Sequence, residues 1–178
     1  MKEVLTQFAF YNLWANQQLL NLINQLPPEQ QYKEVSSSFA SLYKTALHLW
    51  NAEAIWWQRL KLQERIVQPA ETFSGSFQEL ADHLLEQNRL WQEWVSHAQE
   101  HMLLHVFLYS NTKKEQFKQP VYQMLLHVFN HNTYHRGQLV TMMHQLGIEK
   151  IPQTDFIIWS RSARITEGQA RGSKPRTA

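Results

Sequence analysis

Hydrophobic residues recur at steps of three and four along most of this chain, which is the period of an amphipathic α-helix. Four long segments show this pattern, and we predict helices over about 2–26, 38–65, 76 to beyond 95, and 120–146. Local residue types support these limits. Pro27 should stop the first helix, Ser76 and Glu79 form a capping box at the start of the third, and Gly147 should stop the fourth.

The segment before the fourth helix has a different pattern. Apolar residues such as Val106 and Leu108 alternate with other types between 102 and 119, and the polar run 111–114 is typical of a turn. We predict a small hairpin or irregular insertion there. Farther on, residues 154–159 predict a short helix that packs back on the body of the protein.

These elements together predict an all-α fold, a four-helix bundle with that insertion before its last long helix and a short C-terminal helix. The 178 residues suit one domain with a sizeable core. The chain has 5 glycines and 6 prolines, few enough to argue against a strand-and-turn architecture. We assign residues 1–162 to the bundle and 163–178 to a basic, flexible tail.

Charge gives little support for a nucleic-acid partner. The formal net charge is +2, but residues 161–178 hold five basic residues against one glutamate, so the body that precedes them is mildly acidic. No apolar run approaches the roughly 18 residues that span a bilayer, so we expect no membrane association. The first residues also lack a signal-peptide pattern, and we expect a cytoplasmic protein.

Histidine is the residue type that points to chemistry. The chain has nine histidines and no cysteine, so a metal site would use imidazole, carboxylate and water. His127, His131 and His135 recur at four-residue steps on one face of the fourth helix, about 6 Å apart along its axis. With metal–nitrogen bonds of roughly 2.0–2.1 Å, one ion cannot hold all three. Either neighbouring pair is a candidate, and spacing leaves both open.

His97, His101 and His105 have the same four-residue spacing, so spacing alone does not identify a metal site. They lie where the third helix passes into the insertion, among polar residues, and we expect no metal there. His48 is the best candidate for a third ligand, since it lies beside the apolar stripe of the second helix. The alternative is a buried histidine bonded to a neighbouring side chain. Glu53 is another candidate ligand, although we expect a surface ion pair.

Several motifs resemble those of the DinB/YfiT-like family of small helix-bundle proteins, which is distinct from the DNA polymerase that shares the name. The similar stretches are 11–16, 38–59, 130–138 and 152–155, and the resemblance covers about residues 5–160. It implies a four-helix bundle, commonly dimeric, with a divalent metal on three histidines. The matching positions place those ligands at His48, His131 and His135, and leave His127 as a neighbour.

The resemblance leaves the activity open. Some relatives are metal-dependent transferases or isomerases that use low-molecular-weight thiols, and others are described as metal-dependent hydrolases. We expect one divalent transition metal ion per chain, zinc or nickel, with an open position for water or a thiol. The substrates would be a small thiol or an electrophile. Asn12, Tyr134 and Arg136 are candidates to orient a substrate, although core or surface roles are expected. The alternative is a non-catalytic homodimer with a structural metal, related to stress.

Overall fold

The computed structural model describes residues 1–111 and 113–162. Its helices are α1 Lys2–Asn24, α2 Pro28–Tyr32, α3 Leu42–Leu60, α4 Phe77–His97, α5 Glu100–Leu104, α6 Val121–Gln145 and α7, residues 156–162. A 3-10 turn, Pro69–Glu71, lies between α3 and α4. The strands β1 Val106–Ser110 and β2 Gln116–Pro120 lie between α5 and α6. The predicted tail, 163–178, lies outside the described residues, and the domain limit at 162 stays a prediction.

The four long helices form the predicted bundle. Helices α1 and α3 each pack against both α4 and α6, which gives the ring order α1–α4–α3–α6. Each helix turns its apolar stripe toward the centre of this ring, as the three-and-four spacing predicts. Within the described part of the chain, no helix combines the length and the apolar character needed to span a bilayer.

Helix ends follow local chemistry, with one difference from the sequence prediction. The capping box of α4 is present: Ser76 Oγ accepts from Glu79 N at 3.3 Å, and Glu79 Oε2 accepts from Ser76 N at 2.7 Å. Helix α3 is shorter than predicted at both ends. It begins after Ser41, whose Oγ accepts from Lys44 N at 3.1 Å, and it ends before Leu62, which adopts a positive φ of 52°. The N-cap is thus Ser41, three residues beyond the predicted start of the helix.

The hairpin and the short last helix are both present. Strands β1 and β2 pair antiparallel, with Phe107 opposite Gln119, and Phe107 is buried against the bundle. In α7, the ring of Phe156 lies 5.3 Å from that of Phe8 and 5.2 Å from that of Tyr11. Helix α7 therefore packs back on α1, as predicted.

The core of the bundle has two apolar clusters. One lies toward the C-terminal half of α1 and includes Leu19 and Leu49, and the other includes Trp91 and Phe129. On the four long helices, most of the buried polar residues fall between the residues that contribute to these two clusters, and Thr45 is an exception. The polar side chains there that are at most 3% exposed form what we call the polar layer: Asn12, Asn16, Glu53, Asn88, Asn132 and Arg136.

Hydrogen bonds within the polar layer link all four long helices. Arg136 Nη1 donates to Asn12 Oδ1 at 2.6 Å and to Asn16 Oδ1 at 3.1 Å. Asn88 Nδ2 donates to Glu53 Oε2 at 2.6 Å, and Asn12 Nδ2 donates to Glu53 Oε1 at 3.3 Å. Asn16 Nδ2 also donates to Asn88 Oδ1 at 2.7 Å. Because buried polar groups need partners, this network fixes the register of the helices relative to one another.

The prediction of a surface ion pair for Glu53 is therefore wrong. The side chain is 1% exposed and accepts hydrogen bonds from two asparagines on other helices. Burial raises the pKa of Glu53 to about 7, because a carboxylate loses hydration in the core. The asparagine hydrogen bonds and the positive charge of Arg136 oppose that rise.

Candidate metal centre

Three histidines converge where α3 faces α6. His48 comes from α3, and His131 and His135 come from successive turns of α6. The Nε2 atom of His131 lies 3.1 Å from Nε2 of His48 and 3.1 Å from Nε2 of His135. Each of the three residues offers one ring nitrogen, and these nitrogens all lie within 4.8 Å of one another. The fold thus brings together the three positions that the family resemblance implies.

The donor set suits a divalent transition metal. Burial, together with the charges of the neighbouring imidazoles, lowers the pKa of His48 and of His131 to about 4. Both rings are therefore neutral at pH 7, and a neutral ring nitrogen can offer a lone pair to a metal. Ligands about 2.0–2.1 Å from a tetrahedral ion would be about 3.3 Å apart, close to the observed nitrogen separations.

A hydrogen bond fixes the orientation of His135. Its Nδ1 lies 2.7 Å from Gln138 Oε1, and Gln138 Nε2 donates to Ser38 Oγ at 2.9 Å. Because the amide oxygen can only accept, His135 Nδ1 carries a proton, and in the neutral ring Nε2 then keeps a free lone pair. Gln138 lies in the most specific of the family-like stretches, 130–138, but the sequence alone assigned it no role.

Aromatic rings line the histidine cluster. Phe39 stacks on His48 with ring centroids 4.1 Å apart, and Tyr134 meets His135 edge-on at 5.0 Å. His135 is 4% exposed, whereas His48 and His131 are half-buried. The cluster is thus sheltered on the bundle side but within reach of a small molecule from the surface.

His127 lies next to the cluster and not within it. Its ring centroid is 5.8 Å from that of His131 and 5.2 Å from that of Trp56. The three grouped histidines do not include it. Of the two pairs that spacing left open, the structure places the pair 131/135 beside His48.

The other three histidines at four-residue spacing, His97, His101 and His105, form no comparable group among residues 1–111 and 113–162. His97 instead bonds through Nδ1 to the carbonyl of Glu93 at 2.8 Å, one turn back on α4. His105 lies beyond the end of α5, so these three histidines do not share one helical face.

The other candidate site residues separate into two groups. Asn12 and Arg136 lie in the polar layer, where they bond to each other. Tyr134 is 62% exposed and lies at the edge of the cluster. Of these three side chains, Tyr134 is the one placed to meet a molecule from solvent.

Two kinds of comparison with known proteins, by family and by individual relative, point to the same family. The DinB family model matches residues 1–169. Protein DinB of Bacillus subtilis strain 168 is 31% identical, with 85% of this chain and 93% of that protein covered.

Solved structures of DinB-like proteins share the fold. One from Bacillus cereus ATCC 10987 is 19% identical, with a TM-score of 0.60 over 78% of this chain and 89% of that chain. One from Bacillus subtilis is 13% identical, with a TM-score of 0.63 over 84% of this chain and 98% of that chain. The family match over most of the chain, with the relative from Bacillus subtilis strain 168, establishes that this protein belongs to the DinB family.

Proposed function

We propose that this protein binds one divalent transition metal ion through His48, His131 and His135 and is a metal-dependent enzyme. The observation that carries the proposal is the convergence of three neutral imidazoles with no fourth histidine, aspartate or glutamate among the described residues in the same group. Structural zinc sites are usually closed by four protein ligands, whereas catalytic sites keep a position open.

The ion would supply Lewis acidity, which activates either water or a low-molecular-weight thiol as a nucleophile. Three neutral ligands leave its positive charge uncompensated, which strengthens this effect. The chain has no cysteine, so a thiol would come from the substrate. Imidazole donors suit zinc and nickel.

The residues around the histidines have separable roles in this proposal. Gln138 holds the ring of His135 so that Nε2 faces the other two nitrogens. Phe39 covers one face of His48 and excludes water from that side. Tyr134, at the exposed edge, is the candidate to orient the substrate. Asn12 and Arg136 act indirectly, because they hold α6 in register with α1.

The quaternary structure and location belong to the same proposal. By analogy with the family, in which dimers are common, we propose a homodimer. We also propose a cytoplasmic location, where small thiols are kept reduced.

An activity panel tests the catalytic part. Purified protein loaded with zinc or nickel is assayed with small thiols plus electrophiles and, separately, with esters and amides, each with and without a chelator. We expect at least one reaction that the chelator and His131→Ala both abolish, while the matched control His97→Ala keeps it. A fully loaded protein that is silent across the panel would instead favour the structural-metal alternative.

A further inference from the structure

A pocket of about 280 Å³ lies beside His127, the residue next to the candidate metal centre. It lies where α3, the hairpin and α6 meet, and the residues that line it are Trp56, Tyr109, Gln119, Gln123, Met124 and His127. Its walls are thus two aromatic rings, two amides, a thioether and an imidazole. This combination suits a small organic molecule with at least one polar group.

The cation of Arg59 stacks on two of the rings that line this pocket. The guanidinium carbon of Arg59 lies 4.6 Å from the ring centroid of Trp56 and 5.3 Å from that of Tyr109. Stacking of this kind holds the planar guanidinium in one place while its edge remains available to an anion.

Arg59 has no anionic partner within residues 1–111 and 113–162. The ion pairs there are Lys44 with Glu34 and Arg89 with Glu86. The Nε atom of Arg59 is buried without a hydrogen-bond acceptor. Burial lowers the pKa of Arg59, but a guanidinium remains charged at neutral pH. A half-buried, unpaired cation is unfavourable, so this arrangement favours the arrival of an anion.

His127 connects the pocket to the metal centre. Its ring lies between Trp56, at 5.2 Å, and His131, at 5.8 Å, measured between ring centroids. Burial and the positive charge of Arg59 lower the pKa of His127. A ring nitrogen of His127 can exchange a hydrogen bond with a ligand that extends from Arg59 toward the three histidines.

We propose that this pocket binds the carboxylate or phosphate group of an anionic substrate, with Arg59 as its counter-ion and Trp56 and Tyr109 as its walls. The inference rests on the proposed function, because the reactive end of the same molecule would lie at His48, His131 and His135. It narrows the substrate class to small thiols or electrophiles that carry an anionic group a few bonds away from the reactive atom.

A pair of thiols that differ in charge tests the proposal. Zinc-loaded protein is titrated with 3-mercaptopropionate and with 3-mercapto-1-propanol, and binding is followed by calorimetry and by the indole N–H signal of Trp56. A charge-assisted hydrogen bond should favour the carboxylate by about tenfold or more. Arg59→Met should remove that preference, so that the two thiols bind with about equal affinity. Equal affinities in the unmodified protein, or a preference that survives Arg59→Met, would overturn the proposal.

Two further variants separate recognition from packing. Arg59→Lys keeps the charge and should keep part of the carboxylate preference, whereas a purely structural arginine would give no such rescue. Lys61→Met is the matched control: its Nζ lies 4.8 Å from the ring centroid of Trp57, so the variant removes an equal charge stacked on a different tryptophan. It should leave the preference unchanged. A loss in Lys61→Met equal to that in Arg59→Met would count against a specific site.

A metal-independent measurement separates this proposal from the proposed function. Chelator-treated protein is titrated with inorganic phosphate and with succinate, again with Trp56 as the reporter. If neither thiol binds the zinc-loaded protein but these anions shift the Trp56 signal in an Arg59-dependent way, the metal proposal fails and the anion pocket stands. If the thiols bind zinc without any effect of Arg59, the anion pocket fails alone.

Discussion

Gln138 Oε1 lies 2.7 Å from Nδ1 of His135, and this contact determines which nitrogen of His135 faces the other two histidines. The same amide donates to Ser38 Oγ at 2.9 Å, so its oxygen is held toward the imidazole. Residues of this kind contribute to metal affinity without touching the metal, because they fix the tautomer and the angle of a ligand.

Replacement of Gln138 should therefore weaken metal binding. We expect Gln138→Ala to lower zinc affinity by about 10-fold to 100-fold, as measured by competition with a chromophoric chelator. Gln145→Ala is the matched control, since Gln145 is an exposed glutamine at the end of the same helix. Unchanged affinity in Gln138→Ala would show that the hydrogen bond does not orient His135.

Metal affinity should depend weakly on pH around neutrality. The pKa of His48 and of His131 is lowered to about 4, so both are already deprotonated well below pH 7. Protons then compete with the metal only as the pH falls toward that value. We expect zinc affinity to change little between about pH 7.5 and 6 and to fall steeply below about pH 5. A steep loss that begins near pH 6.5 would indicate histidines with ordinary pKa values.

Glu53 should make the fold less stable as the pH rises. Burial raises its pKa in the folded state to about 7 from an ordinary value of 4.5. The folded protein therefore holds a proton that the unfolded chain releases within this window. The stabilisation that protonated Glu53 gives to the fold is fully present below about pH 4.5 and is lost as the pH rises through about 7. The free energy of unfolding changes by up to about 3 kcal/mol over this range.

The variant Glu53→Gln separates the pH dependence of stability due to Glu53 from that due to the histidines. The histidines make the fold more stable as the pH rises, which is the opposite direction. His48 and His131 have lowered pKa values, so their contribution is present above about pH 6.5 and lost toward pH 4. We expect the stability of Glu53→Gln relative to the unmodified protein to increase from pH 4.5 to pH 7.5 in urea unfolding. A difference that stays constant with pH would show that Glu53 does not titrate in this range.

Arg136 should be important for stability. Its Nη1 bonds to the side-chain oxygens of Asn12 and Asn16 inside the core, and its charge favours ionised Glu53. Arg136→Met would leave these oxygens without that donor and should reduce the free energy of unfolding by about 3–5 kcal/mol.

An exposed arginine provides the comparison for Arg136. Arg89→Met removes an i,i+3 pair with Glu86 on the surface of α4 and should reduce the free energy of unfolding by less than about 1 kcal/mol. Similar losses in the two variants, measured by urea unfolding, would mean that the polar layer contributes little to stability.

Local patterns were enough to predict the elements of the fold. The period of apolar residues predicted the four long helices, the pair Ser76 and Glu79 predicted the start of α4, and alternation predicted the hairpin. For the site, spacing left two histidine pairs open, and the family-like stretch 130–138 was needed to prefer His131 with His135. Their convergence with His48 depends on how α3 packs against α6, which no local pattern specifies.

The polar layer and the pocket could not be predicted from local sequence. Glu53 has partners 41 and 35 residues away, Asn12 and Asn88, on two other helices. A lone glutamate near an apolar stripe usually remains in water, so the surface prediction followed the general rule. Arg59 likewise meets Tyr109 only because the hairpin folds back on α3.

Metal content measures the central claim most directly. The unmodified protein, His127→Ala and His131→Ala are purified without added metal, and the divalent ions per chain are counted by mass spectrometry. We predict about one zinc or nickel ion per chain in the unmodified protein and in His127→Ala, and almost none in His131→Ala. No metal in the unmodified protein, or full occupancy in His131→Ala, would contradict a metal centre at His48, His131 and His135.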